Sequence, residues 1–165
     1  MLKTEKLFGK TVLVHGDQHT VNALTIGSAL RMQESSKVLF IDTTNCMTPR
    51  YIDEFYHKKI PENLEKILIS RPGSVFELIS FIYKLEKLLS KSNIKVIILS
   101  SINSLFFDIH NDEVKQLFPE MIKNIKYITK KFRTITIIGN YNIPSNNSIT
   151  INKIISKKID KIYGV

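Results

Sequence analysis

Short apolar runs alternate along the chain with longer stretches whose apolar residues recur every three to four positions. The runs 10–15, 37–42, 65–70, 95–100, 134–139 and 159–163 are mostly Val, Ile, Leu and Phe and read as strands, several of them buried on both faces. The periodic stretches between them read as helices: 20–33, one opened by Thr48-Pro49 as cap and first-turn proline, 74–89, 113–132 and a short basic one over 149–158. Ser74 caps the third, with Phe76, Ile79, Ile82, Tyr83 and the run from Leu85 to Leu89 as its apolar stripe. The fourth turns Val114, Leu117, Met121, Ile125 and Ile128 inward, and Pro119 within it implies either a kink or a start one turn later. Strand-helix alternation predicts an α/β fold, a mostly parallel sheet flanked by helices on both faces. Run 95–100 belongs near the centre, and ligand positions belong at the carboxyl ends of the strands. No repeat or linker divides the sequence, so residues 1–165 are read as one domain.

Composition narrows the setting. A single cysteine, Cys46, cannot form an internal disulfide, which points to a reducing, cytoplasmic environment. His15, His19, His57 and His110 form no metal-ligand cluster in sequence. No apolar run approaches the ~20 residues of a membrane span, and the start of the chain lacks the apolar segment of a targeting signal. The formal net charge of +9 is uneven: residues 121–165 hold nine Lys and Arg against Asp160 alone, whereas the first 120 residues are nearly balanced. That asymmetry implies an anion-facing surface, nucleic acid being the usual partner, unless the lysines merely form a solvated face.

The stretch TVLVHGDQHTVNA, residues 11–23, has the frame of a phosphate-binding loop: apolar strand, Gly-containing turn, helix. In such loops, G-x-x-x-x-G-K-[ST], backbone N–H groups wrap phosphate, Lys neutralises charge and a hydroxyl holds Mg²⁺. Counted from Gly16, those last three positions hold Val21, Asn22 and Ala23. Val does not readily take positive φ, Asn cannot offset phosphate charge and a methyl group cannot bind metal. By itself the stretch is equally an ordinary strand-to-helix turn.

Taken with KVLFIDTTNCMTP (37–49), NLEKILISRP (63–72), VIILSSINSLF (96–106) and TIIGNYN (136–142), the chain resembles the core ATPase domain of the RecA/RadA recombinase family along nearly its whole length. The resemblance assigns the family's water-activating Glu to Thr44, its Walker B Asp to Ser100 and its γ-phosphate-sensing Gln to Tyr141. With Val21, Asn22 and Ala23, four elements of one phosphoryl-transfer site lack their functional groups. The implied protein is a pseudo-ATPase that uses no cofactor and performs no catalysis, a RadA paralogue assisting recombination or repair. The family's N-terminal helical domain and polymerisation segment have no counterpart in the sequence.

The resemblance also places two DNA loops. FFDIHN (106–111) occupies the first and is neutral to acidic. NIPSNNS (142–148) occupies the second, where Asn142, Asn146 and Asn147 precede Lys153, Lys157, Lys158 and Lys161. Lys123, Lys126 and Lys130 share a helix face and complete the expected phosphate-contacting set. Expected partners are DNA, bound without regard to sequence, and a recombinase or another paralogue in a homo- or heterodimer, with Leu7, Phe8, Phe106 and Phe107 as contacts or as core. Two alternatives stand beside this reading: a regulatory or scaffold subunit unrelated to DNA, and a divergent ATPase that borrows Lys10 or a partner's lysine.

Overall fold

Six apolar runs pair into one sheet in the computed structural model, which describes residues 7–55, 64–106, 109–142 and 146–164. The strands are β1 (Thr11–Gly16), β2 (Lys37–Ile41), β3 (Ile67–Ser70), β4 (Ile94–Leu99), β5 (Ile135–Tyr141) and β6 (Lys161–Gly164). Helices α1 (Gln18–Met32), α2 (Pro49–Phe55), α3 (Val75–Ser90), α4 (Asn111–Lys131) and α5 (Asn146–Lys158) alternate with them. The strand order is β3-β2-β4-β5-β1-β6 and each pairing is parallel. The fold is α/β, as the alternation predicts, with β4 and β5 in the middle.

The two-residue period of the strands divides the core into two layers. Leu13, Leu39, Ile41, Ile97, Leu99 and Ile138 pack under α3, α4 and α5. Val12, Val14, Val38, Phe40, Ile98 and Ile137 pack under α1 and α2. The chain steps from β1 to β2 to β3 with helices on one face, then returns through β4, β5 and β6 with helices on the other, as right-handed crossovers require.

Three sequence expectations change. On α3 the buried stripe is Val75, Leu78, Ile82, Leu85 and Leu89, while Phe76 and Tyr83 stand 61% and 60% exposed. Those two aromatics sit about 100° and 80° of helical rotation from Val75, on the flank away from the buried stripe. On α4, Phe118 is fully buried and Leu117 only half-buried. Pro119 lies inside α4, which nevertheless begins at Asn111, so the later start does not occur. Burial of Val114 and Phe118 in the preceding turns offsets the hydrogen bond that proline removes.

Candidate functional site

The joint between β1 and α1 differs from the expected phosphate loop. Strand β1 runs through Gly16 and α1 begins at Gln18, leaving Asp17 as the only residue between them. No multi-residue loop separates strand from helix, and Val21, Asn22 and Ala23 lie within α1 rather than in a turn. The positive-φ requirement at Val21 therefore does not arise. The cause is Asp17: with φ −66° and ψ 159° it caps the helix, its carboxylate accepting from the Thr20 backbone N–H at 2.9 Å and from the Thr20 hydroxyl at 2.6 Å. Those two bonds hold the carboxyl below its ordinary pKa. The protein's own negative charge thus sits at the helix N-terminus, where the field favours an anion.

The side chains beyond this cap fill the remaining space. Val21 is fully buried over Gly139 of β5, where an added Cβ would lie 2.8 Å from the Val21 Cγ1 and 1.9 Å from the Ser100 carbonyl oxygen. Asn22 is buried, and its Oδ1 accepts from the Tyr141 hydroxyl at 2.5 Å. Tyr141 ends β5 opposite Gly16. Burial raises the pKa of its phenol well above the ordinary value, so the hydroxyl remains a donor. Ala23, the next residue of the helix, is half-buried.

At the end of β4 the hydroxyls satisfy one another. Ser100 Oγ accepts from the Thr43 N–H at 3.0 Å and from the Thr44 hydroxyl at 3.2 Å, and the Thr43 hydroxyl donates to the Ser101 carbonyl at 2.6 Å. Asn103 brackets β5, its amide donating to the Tyr141 carbonyl at 2.9 Å and its oxygen accepting from the Tyr141 N–H at 3.1 Å. Asp42 is buried and accepts from the backbone of Cys46 and Met47, both at 3.0 Å, with Arg71 Nε at 3.4 Å. This carboxylate folds the loop after β2. Buried beside it, the Cys46 thiol is pushed up to about 12, by desolvation first and then by the Asp42 charge. The structure therefore brings together Gly16, Val21, Asn22, Thr44, Ser100 and Tyr141, with Tyr141 bonded to Asn22 and Thr44 to Ser100.

On the opposite sheet face, under α5, a hollow of about 190 Å³ is lined by Leu13, His15, Asn140, Asn152, Ile155, Ser156 and Ile162. The Asn140 amide bridges His15 Nδ1 and Asn152 Oδ1, each at 2.8 Å. From the sequence, His15 is weighed only as a metal ligand and set aside, and the fifth strand ends at residue 139, which leaves Asn140 outside the sheet. The alternation Leu13-x-His15 and Ile138-x-Asn140 is the signal that puts both polar side chains on the α5 face. Among the described residues no three His, Cys, Asp or Glu side chains are placed to hold a metal ion.

The lysines sort into distinct roles. Lys126 pairs with Asp160 at 3.3 Å and donates to the Lys158 carbonyl, while Lys158 Nζ reaches back to the Pro119 carbonyl at 3.5 Å. Lys126 and Lys158 clamp α4 to the end of α5. One turn to either side of Lys126, Lys123 and Lys130 are exposed on the solvent side of α4. Lys153 and Lys157, each one residue before Ile154 and Lys158, follow the solvent side of α5. Lys123 also lies 3.6 Å from Glu120. Exposed on the solvent sides of two helices that pack together, these four make up a basic ridge. Lys161 is set apart: its register partner is Val12, so it lies on the α1 face of the sheet.

Several expected DNA contacts are structural instead. Asn147 is buried, its amide donating to the carbonyls of Phe106 and Ile109 at 2.7 and 2.8 Å, which fastens α5 to the loop before α4. Phe106 is fully buried, edge-on to Phe118. Leu7 is likewise core, and Phe8 is 37% exposed. Asn142 is exposed after β5, and Asn146 is the first residue of α5. Residues 143–145 and Phe107 lie outside the described residues. No protein-family model matches the chain, and no curated protein sequence matches it. Among the described residues no helix is long and apolar enough to cross a membrane.

Proposed function

We propose that the chain is a non-catalytic RecA/RadA-like protein that binds DNA through the Lys123, Lys130, Lys153, Lys157 ridge and assists a recombinase or another paralogue. The observation that carries this reading is the Tyr141–Asn22 hydrogen bond across the strand ends, behind a helix N-terminus capped by Asp17. Binding a nucleotide there would require breaking both and expelling Val21 from the core. A protein of this build supplies surfaces rather than turnover, and the ridge is a surface suited to phosphate.

Fluorescence anisotropy with single- and double-stranded oligonucleotides across a salt series tests the reading. A contact set of about three to four lysines gives a log-affinity against log-salt slope of roughly −2 to −4. Lys153→Glu with Lys157→Glu weakens binding to all sequences alike, and Lys95→Glu, an exposed site on β4, leaves it unchanged. Hydrolysis or tight binding of Mg²⁺·ATP by the unaltered protein overturns the non-catalytic part. Absence of binding to both oligonucleotides at low salt overturns the DNA part and selects the scaffold alternative, which the exposed aromatics of α3 favour.

A further inference from the structure

The outward face of α3 carries an arrangement unrelated to the lysine ridge or the strand-end site. Its buried residues, Val75, Leu78, Ile82, Leu85 and Leu89, centre on one side of the helix. Ser80 falls diametrically opposite that side at 100° per residue. On one flank of Ser80 stand Phe76 and Tyr83, both more than half exposed; on the other stand Glu77 and Lys84. Phe76, Glu77, Ser80, Phe81 and Lys84 line a shallow open depression.

We propose that α3 is a homodimer interface, two copies packing antiparallel about a twofold axis at Ser80. The occupant follows from self-complementarity. A twofold axis between antiparallel helices puts like flanks together with their directions reversed. Residues at nearly equal distances on either side of Ser80 then meet, which sets Phe76 against the partner copy's Tyr83 and Glu77 against the partner copy's Lys84, each twice and each with an axial offset of about 1.5 Å. An aromatic pair on one flank and an opposite-charge pair on the other is what an isologous contact needs, whereas parallel packing would bring unlike flanks together and set Phe76 and Tyr83 against the charged Glu77 and Lys84 of the partner copy. The small Ser80 at the crossing lets the helix axes approach to about 8–10 Å; with Cα atoms about 2.3 Å from each axis, the two Ser80 Cα atoms lie roughly 3.5–5.5 Å apart.

That separation makes the proposal testable by cross-linking, because its upper part overlaps the disulfide range of about 4.4–6.8 Å. Native Cys46 is buried and does not compete. Under oxidised glutathione, Ser80→Cys gives a covalent dimer, while Ser90→Cys, on the same helix but displaced along it, stays monomeric. By sedimentation velocity the unaltered protein is dimeric at about 100 µM, a concentration at which a micromolar complex is mostly assembled. Phe76→Ser with Tyr83→Ser, both at exposed sites, weakens the dimer at least about tenfold. Lys84→Glu weakens it, and adding Glu77→Lys restores it. Glu77 also accepts from the Gly73 N–H at 2.7 Å, so circular dichroism of the double variant confirms that the helix is kept. A monomeric unaltered protein, cross-linking at Ser90→Cys but not Ser80→Cys, or a dimer indifferent to the Phe76 and Tyr83 substitutions overturns the proposal.

Discussion

Gly139 shows how one residue type sets a local structure here. Its missing side chain lets the Ser100 carbonyl and Val21 approach β5 together, so β4, β5 and α1 meet at that point. Gly139→Ala forces a backbone shift in close-packed surroundings and is expected to destabilise by about 3 kcal/mol, read from denaturant unfolding. Ala introduced at Gly164, where an added Cβ meets nothing within 4 Å, is the neutral comparison. A sequence reader picks Gly16, since glycine after a strand signals a phosphate loop, whereas the close approach at Gly139 depends on chain segments far apart in sequence. Cys46 gives a second outcome at this scale. With its thiol buried and raised to about 12, iodoacetamide at pH 8 should modify the folded protein at least ~100-fold more slowly than the unfolded chain, measured by mass spectrometry.

Among the elements, existence and type were legible because period-2 and period-3.6 patterns are local properties of the sequence. What could not be read locally was which flank of a helix meets its neighbours. Phe76 and Tyr83 look like stripe residues until the packing of α3 is known, and Asn147 looks like a loop contact until its amide is seen holding two carbonyls. The α1 start was misplaced by two residues for a chemical reason: Asp17 caps the helix, and the pattern alone does not distinguish a cap from a loop residue. Helix α4 ends in a feature with a measurable consequence. The Thr134 N–H bonds the Thr129 carbonyl and the Arg133 N–H bonds the Lys130 carbonyl, with Arg133 at φ 50°. This is the Schellman pattern with arginine at the left-handed position that glycine occupies without steric cost. Relief of that strain exceeds the added chain entropy of glycine, so Arg133→Gly should stabilise by about 0.5–1 kcal/mol. Thermal melting should rise by about 1–4 °C, and an unchanged or lower midpoint would show that the arginine side chain makes up the difference.

At the scale of the whole molecule, the sheet sets a strand-end cluster that bonds to itself against a basic seam that faces outward, and one acid ties that seam to the sheet. Asp160 accepts from the Thr11 N–H at 2.9 Å and pairs with Lys126 at 3.3 Å, joining β1, α4 and the turn before β6. In sequence Asp160 is only the lone acid among nine basic residues. Burial pushes its pKa upward, but the Thr11 N–H and the Lys126 ammonium outweigh burial and hold it below the ordinary carboxylate value. A carboxyl whose folded pKa is depressed stabilises the protein above its unfolded value near 3.9, and that stabilisation is lost as pH falls through the folded pKa. Asp160→Asn keeps an acceptor for Thr11 and removes the charge, which isolates the Lys126 pairing. The variant is expected to be less stable than the parent by about 1–2 kcal/mol at pH 7, a deficit of roughly 2–8 °C in melting temperature. Both side chains are under a third exposed, so solvent screens the pair only in part. The deficit should hold down to about pH 5 and shrink towards pH 3 as Asp160 in the parent protonates. Melting curves for both proteins from pH 7 to pH 3 test this: a deficit that stays constant over the range would mean that Asp160 acts through packing and the Thr11 bond, and that the α4–α5 seam does not depend on its charge.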